Sequence, residues 1–167
     1  KEAIRLASEL EEINLRRQGL TERISLEAFE QAAIQQDREV LVLSGEDWHQ
    51  GVVGIVAGRV AEKFGKPAIV LSHIGGELTG SARTRGDFNV VECLQFASVH
   101  LSRFGGHMQA AGLTLLAEKL DDFTGAVLQY ARDNQDAKKD YSPTLELSAE
   151  LAASDLNIET CEFFFFF

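Results

Sequence analysis

Val40-Leu41-Val42-Leu43-Ser44, then Gly51-Val52-Val53-Gly54-Ile55-Val56-Ala57-Gly58-Arg59-Val60-Ala61-Glu62-Lys63-Phe64, then Ala68-Ile69-Val70-Leu71-Ser72, is the stretch on which the fold turns. The two flanking runs are short, apolar and rich in β-branched residues, as buried strands are. Between them, Val52, Ile55, Val56, Arg59, Val60 and Lys63 recur at spacings of three and four, which predicts a helix despite the valines. Gly65-Lys66-Pro67 ends that helix and restarts an extended chain. Strand, helix, strand over this length is a βαβ unit, and its crossover should be right-handed between parallel neighbours. Gly51, Gly54 and Gly58 fall on or near one helix face. Each glycine costs about 1 kcal/mol of helix propensity, a cost rationalised by close approach of a backbone or a ligand.

Downstream of this unit, Gly75-Gly76 marks a turn and Glu77 to Arg83 a further strand. Asp87 or Asn89 caps a helix expected to run to Arg103, with Val90, Leu94, Ala97 and Leu101 on its stripe. Gly105-Gly106-His107 reads as the turn that breaks it, Ala110 to Leu116 as a strand, and 118–133 as a closing helix. Upstream, residues 1–18 predict a helix ended by Gly19, and Ser25 predicts the N-cap of a second. The expected organisation is a helical connector over 1–37 and an α/β domain over 38–135, a mixed sheet with a βαβ crossover and packed helices. A polar linker, 133–140, then leads to an incomplete segment over 141–167, opened by the strand-like Pro143 to Ser148. Phe163 to Phe167, five phenylalanines in a row, fits no ordinary terminus. A chain that opens inside a helix pattern without Met reads as a piece of a larger protein.

Composition sets limits. With 45% hydrophobic and 25% charged residues the chain is of globular type. It has no apolar run of the length that crosses a bilayer, so no membrane partner is expected. Two cysteines, Cys93 in an apolar helical pattern and Cys161 beside the Phe run, make no disulfide framework and suit a reducing cytoplasm. The net charge of -10 weighs against nucleic acid on average. It is unevenly spread: residues 41–115 are neutral, with six basic and six acidic groups, while 116–167 carry -7. A local phosphate site is compatible with that distribution.

Three loops carry candidate chemistry. Trp48-His49-Gln50-Gly51 feeds a helix N-terminus, whose unpaired N–H groups suit phosphate. There Trp48 either walls a ligand or packs the crossover, and His49 either bonds the ligand or caps the turn. Gly80-Ser81-Ala82-Arg83-Thr84-Arg85 offers hydroxyls and two guanidinium forks. Ser81 and Arg83 share a side if the segment is extended; the alternative is an edge strand with solvated arginines. Arg103-Phe104-Gly105-Gly106-His107 sets a cation and an imidazole about a double glycine, or else is a helix C-cap followed by a surface histidine. Together the loops supply donors and almost no acceptors, which favours anion binding. The four histidines, His49, His73, His100 and His107, have no metal-ligand spacing, and there is no phosphate-binding G-x-x-x-x-G-K-[ST] loop or G-x-S-x-G elbow. No hydrolytic centre is therefore expected within the chain.

Trp48 to Arg59, Gly80-Ser81-Ala82-Arg83, and Phe104-Gly105-Gly106-His107-Met108-Gln109-Ala110-Ala111-Gly112 together resemble the DHHA1 domain of DHH-superfamily phosphoesterases, in its RecJ-type form. The resemblance is strong over about 40–116 and looser in the flanks. It implies a single-strand-specific exonuclease working 5′ to 3′, in which a preceding DHH domain holds Mn2+ or Mg2+ and an OB domain follows. On that resemblance 1–37 corresponds to the connector and 141–162 to the opening of the OB domain. Single-stranded DNA is the implied substrate and a single-strand-binding protein an implied partner. The Asp-His-His motif is absent, so no metal ligand carries over and the chain alone is expected to be inactive. By carry-over, Arg83 holds backbone phosphates, His107 reaches the phosphate near the scissile bond in a supporting role, and His49 supports the cleft. Trp48, Gly51, Gly80, Ser81, Arg103, Gly105 and Gly106 complete the implied binding set. Thr84 stands where the family pattern leads one to expect Ser, which keeps a hydroxyl. Two alternatives remain open at this point: a phosphoesterase for short oligonucleotides or cyclic dinucleotides, which would lack the OB domain, and a non-catalytic interaction module.

Overall fold

Alternation along five strands gives this protein's sheet two faces, and helices cover the two unequally. The computed structural model describes residues 2–134 and 157–158. The expected segment over 141–167, with Cys161 and the Phe run, lies outside the described residues, 157 and 158 apart. In chain order the elements are α1 (Glu2–Ile34), β1 (Leu41–Gly45), α2 (Gln50–Phe64), β2 (Ala68–Ile74), β3 (Glu77–Arg83), α3 (Val90–Phe96), β4 (Arg103–His107), β5 (Ala110–Leu116) and α4 (Leu120–Asp133). The strands pair in the order β1-β2-β3-β5-β4. β1 and β2 are parallel, as the βαβ reading requires, and the remaining pairs are antiparallel.

Successive strand residues point to opposite faces. On one face Leu71, Leu78, Ala82, Ala111, Leu113 and Leu115 pack against Val90, Cys93 and Leu94 of α3 and Phe123 and Val127 of α4. Burial pushes the Cys93 thiol up to about 12. On the other face Leu41, Leu43, Ala68 and Val70 pack beneath Val52, Val53, Val56 and Val60 of α2, with Ile24, Ala28 and Ala32 of α1 joining them. This second cover ends where α2 lies along β3, leaving the same face of β5 and β4 without a helix.

Two expectations are corrected. α1 is one helix through Gly19, with no break. A glycine in an exposed helix costs only about 1 kcal/mol, and nothing lies within 4 Å of a Cβ built there. Ser25 caps no second helix: its buried hydroxyl donates to Thr21 O at 2.6 Å and accepts from Arg59 Nη1 at 3.3 Å. The helix expected to reach Arg103 ends at Phe96, and Arg103–His107 is the strand β4. His107 thus lies on a strand, and Met108-Gln109 make the turn into β5. Asn89 is the cap of α3, its Oδ1 accepting from Val91 N and Glu92 N.

The outer edge of β1 is closed by side chains of α1. Gln31 exchanges two hydrogen bonds with Ser44, its Nε2 donating to the carbonyl at 2.9 Å and its Oε1 accepting from the amide at 3.2 Å. Gln35 does the same with Val42, at 3.0 and 3.3 Å.

Candidate nucleic-acid interface

Register decides which side chains meet on the uncovered half of the sheet. Three rows run across β3, β5 and β4 on that face: Thr79–Thr114–Arg103, Ser81–Gly112–Gly105 and Arg83–Ala110–His107. Arg83 and His107, distant in sequence, stand two strands apart, about 10 Å between backbones. Between the rows that carry Arg103 and His107 lies a floor of Gly112 and Gly105, with no Cβ to raise it. Of the nine residues in the rows none is acidic. A groove of about 330 Å3 follows this floor, with Thr79, Gly80, Arg103, Gly105 and Thr114 along it and Gln50 of α2 at its wall.

The flank of α2 is shaped to the sheet at Gly54. A Cβ there would fall 3.1 Å from Arg83 Nη2 and 3.2 Å from Ser81 Oγ, so the glycine makes room for the guanidinium. Arg83 Nη1 donates to Ala82 O at 2.8 Å, which holds the side chain along its strand. Arg85 is drawn away, paired with Glu62 at 3.1 Å on the exposed surface. Arg103 lies over β5, its Nε donating to Thr114 Oγ1 at 3.0 Å.

His49 is the N-cap of α2, its Nδ1 accepting from Gly51 N at 3.0 Å. A ring nitrogen that accepts carries no hydrogen, so the neutral imidazole holds its proton on Nε2. His49, Gly51 and Trp48 border a second depression, of about 620 Å3, with Ser72 and His73; both depressions include Gln50. Trp48 is only 3% exposed. Its indole lies over Gly45, where a Cβ would come 2.4 Å from the ring, and its Nε1 donates to Glu27 Oε2 at 2.7 Å. Its carbonyl accepts from the Ser72 hydroxyl.

The structure therefore gathers Ser81, Arg83, Arg103, Gly105 and His107 on one face, with Gly80 contributing backbone to the groove and His49 and Gly51 beside it. Trp48 is turned into the core. Gly106 falls in the row of Ala82 and Ala111, on the α3/α4 face, where a Cβ would meet Ala110 O at 2.3 Å. Gly80 has a similar constraint, with Val70 O 2.0 Å from its Cβ position. Sequence reasoning did not single out Gln50 or Thr114. Thr114 had a signal: it lies in phase with Ala110 and Gly112, small or polar on alternate positions of an otherwise apolar strand.

Among the described residues no three His, Cys, Asp or Glu side chains come together in a way that could hold a metal ion. No helix among the described residues is long and apolar enough to cross a membrane.

Residues 37–133 match the family model of the DHHA1 domain. The single-stranded-DNA-specific exonuclease RecJ of Bacillus subtilis is 36% identical over 162 residues, covering 95% of this chain and 20% of its own length. That of Escherichia coli K12 is 33% identical over 132 residues, covering 73% and 23%. Among solved structures, RecJ from Thermus thermophilus in complex with Mg2+ superposes with a TM-score of 0.71 at 33% identity, over 78% of this chain and 20% of that one. An exonuclease RecJ bound to manganese gives 0.71 at 32% identity, over 81% and 34%. The chain thus spans about a fifth to a third of the length of these relatives.

Proposed function

From the premise that this chain belongs to the DHHA1 family, as a DHHA1 domain of the RecJ type, we propose that its uncovered sheet face holds single-stranded DNA for a 5′ to 3′ exonuclease. The observation that carries this reading is the arrangement of Arg83, Arg103 and His107 around a glycine floor, with no carboxylate in the three rows. Guanidinium groups and hydroxyls are phosphate donors, and a floor without side chains lets a sugar-phosphate backbone lie close. Single-stranded DNA is also the substrate in the names of the relatives. In this reading the chemistry of phosphodiester hydrolysis belongs to a metal-holding DHH domain, and an OB domain and a single-strand-binding protein are further partners. The present residues orient the strand: Arg83 fixes a phosphate beside Gly54, and His107, one row-mate away, reaches a neighbouring phosphate. His49, with its proton on Nε2, presents a donor from the mouth of α2. A cytoplasmic setting fits a chain whose described cysteine is a buried free thiol.

The test is Arg83→Ala in the intact protein, with affinity for a short single-stranded oligonucleotide followed against salt. Removing the cation that neutralises one phosphate lowers the slope of log K against log salt by about 0.7. Unchanged affinity, slope and cleavage would remove Arg83 from the interface.

A further inference from the structure

We propose that Thr114 is a positioning residue that aims Arg103 at the DNA backbone, an inference that rests on the phosphate-binding reading above. Thr114 is 2% exposed although it stands on the uncovered face, because the Arg103 side chain lies across it. Its Oγ1 accepts from Arg103 Nε at 3.0 Å and is 3.2 Å from Thr79 Oγ1, with either hydroxyl able to donate. All three residues share one register row, so the chain of bonds runs straight across β3, β5 and β4.

This arrangement has a chemical consequence. A guanidinium has five N–H donors in a fixed plane. Spending the Nε donor on a buried hydroxyl restrains that plane and leaves both Nη groups of this groove-lining residue for the fork that matches two phosphate oxygens. Thr79 in turn restrains Thr114, so the acceptor itself has little freedom to rotate. An unanchored arginine on an edge strand would have to order its long side chain at the moment of binding. Here that ordering is already made in the free protein. Thr114 touches no ligand in this account and acts through Arg103.

The experiment compares Arg103→Ala, Thr114→Val, Thr114→Ser and the double variant Arg103→Ala/Thr114→Val in the intact protein. The readouts are affinity for a single-stranded oligonucleotide and its salt slope, with thermal unfolding alongside. Valine keeps the shape of Thr114 and removes the acceptor. The expected result is binding weakened about fivefold, the loss of one ordinary hydrogen bond, with a salt slope that falls toward that of Arg103→Ala. Thr114→Ser should restore wild-type binding, and Thr114→Val should add nothing once Arg103 is alanine. A purely structural role for Thr114 would lower stability and leave the slope unchanged. Wild-type affinity and slope in Thr114→Val, beside a clear loss in Arg103→Ala, overturns the positioning role and spares the phosphate reading. Wild-type binding in Arg103→Ala removes Arg103 from the interface, and the positioning role with it. If Thr114→Val does not fold, Arg103→Lys replaces it: lysine keeps the charge but has neither the Nε–H that Thr114 receives nor the Nη fork, and wild-type binding by that variant would equally overturn the proposal.

Discussion

Replacing Trp48 by Phe separates two readings of the Trp-His pair, a ligand wall and a structural clamp. The indole is 3% exposed and packed over Gly45, and its Nε1 donates to Glu27 Oε2 at 2.7 Å. Phenylalanine keeps one six-membered ring and leaves the space of the pyrrole ring, a shape change that costs about 1 to 1.5 kcal/mol. The lost hydrogen bond to a carboxylate adds about 1 to 1.5 kcal/mol, toward the low end because the Glu27 side chain is 43% exposed and water can replace the donor. The sum, roughly 2 to 3 kcal/mol, corresponds to a Tm lower by roughly 6 to 12 °C for a domain of this size. Trp48 is the sole tryptophan of the chain, so its emission in the wild type should be that of a buried indole and should change little when DNA is added. The assay is thermal unfolding by circular dichroism of wild type and Trp48→Phe, with oligonucleotide affinity measured well below both midpoints. An unchanged Tm together with a tenfold loss of affinity would refute the argument and return Trp48 to the ligand.

Gly54→Ala should leave Tm unchanged or slightly raised, since alanine gains about 1 kcal/mol of helix propensity. Its Cβ would nonetheless press on Arg83 Nη2 and Ser81 Oγ, so oligonucleotide affinity should fall about threefold to tenfold, the range of one ordinary hydrogen bond weakened by a displaced partner; equal affinity would show that Arg83 does not need that space. Cys93, with its pKa pushed up from 9.0 to about 12 by burial, should resist thiol reagents at pH 8 in the folded chain and react on unfolding. Because its folded value lies above its unfolded one, its contribution to stability is complete below about pH 9 and is lost as pH rises toward 12; urea midpoints of wild type and Cys93→Ala that change in parallel across that window would contradict this.

The βαβ core was legible because periodicity and turn residues agreed along the same stretch: apolar runs, a three-to-four rhythm and Gly65-Lys66-Pro67 all gave one answer. The two failures had local signals that tertiary contacts overrode. Gly19 and Ser25 resemble a helix stop and start, yet Ser25 bonds back to Thr21 and across to Arg59, so packing on α2 carried the helix through. Arg103 to His107 lacks the β-branched residues that announce a strand, because β4 is an edge strand whose Gly105 floors the groove and whose Gly106 lies against β5. That strand assignment is what brings His107 level with Arg83. Local sequence named the candidate residues, whereas only register could show that Arg83, Arg103 and His107 share a face and that Gly106 does not, and only packing over Gly45 that Trp48 is buried.

The glutamine pairs at the edge of β1 act as a vernier between two kinds of backbone. Gln31 to Gln35 is one step of four along a helix, about 6 Å, and Ser44 to Val42 is one step of two along a strand, about 6.6 Å. The two spacings nearly coincide, and with the chains running in opposite directions both amides engage at once. Sliding α1 by a single residue would break every one of these bonds, so the helix can dock in only one setting. The free N-terminal half of α1, with Ile4, Leu10 and Ile13 exposed, therefore leaves the sheet in a direction dictated by two glutamines.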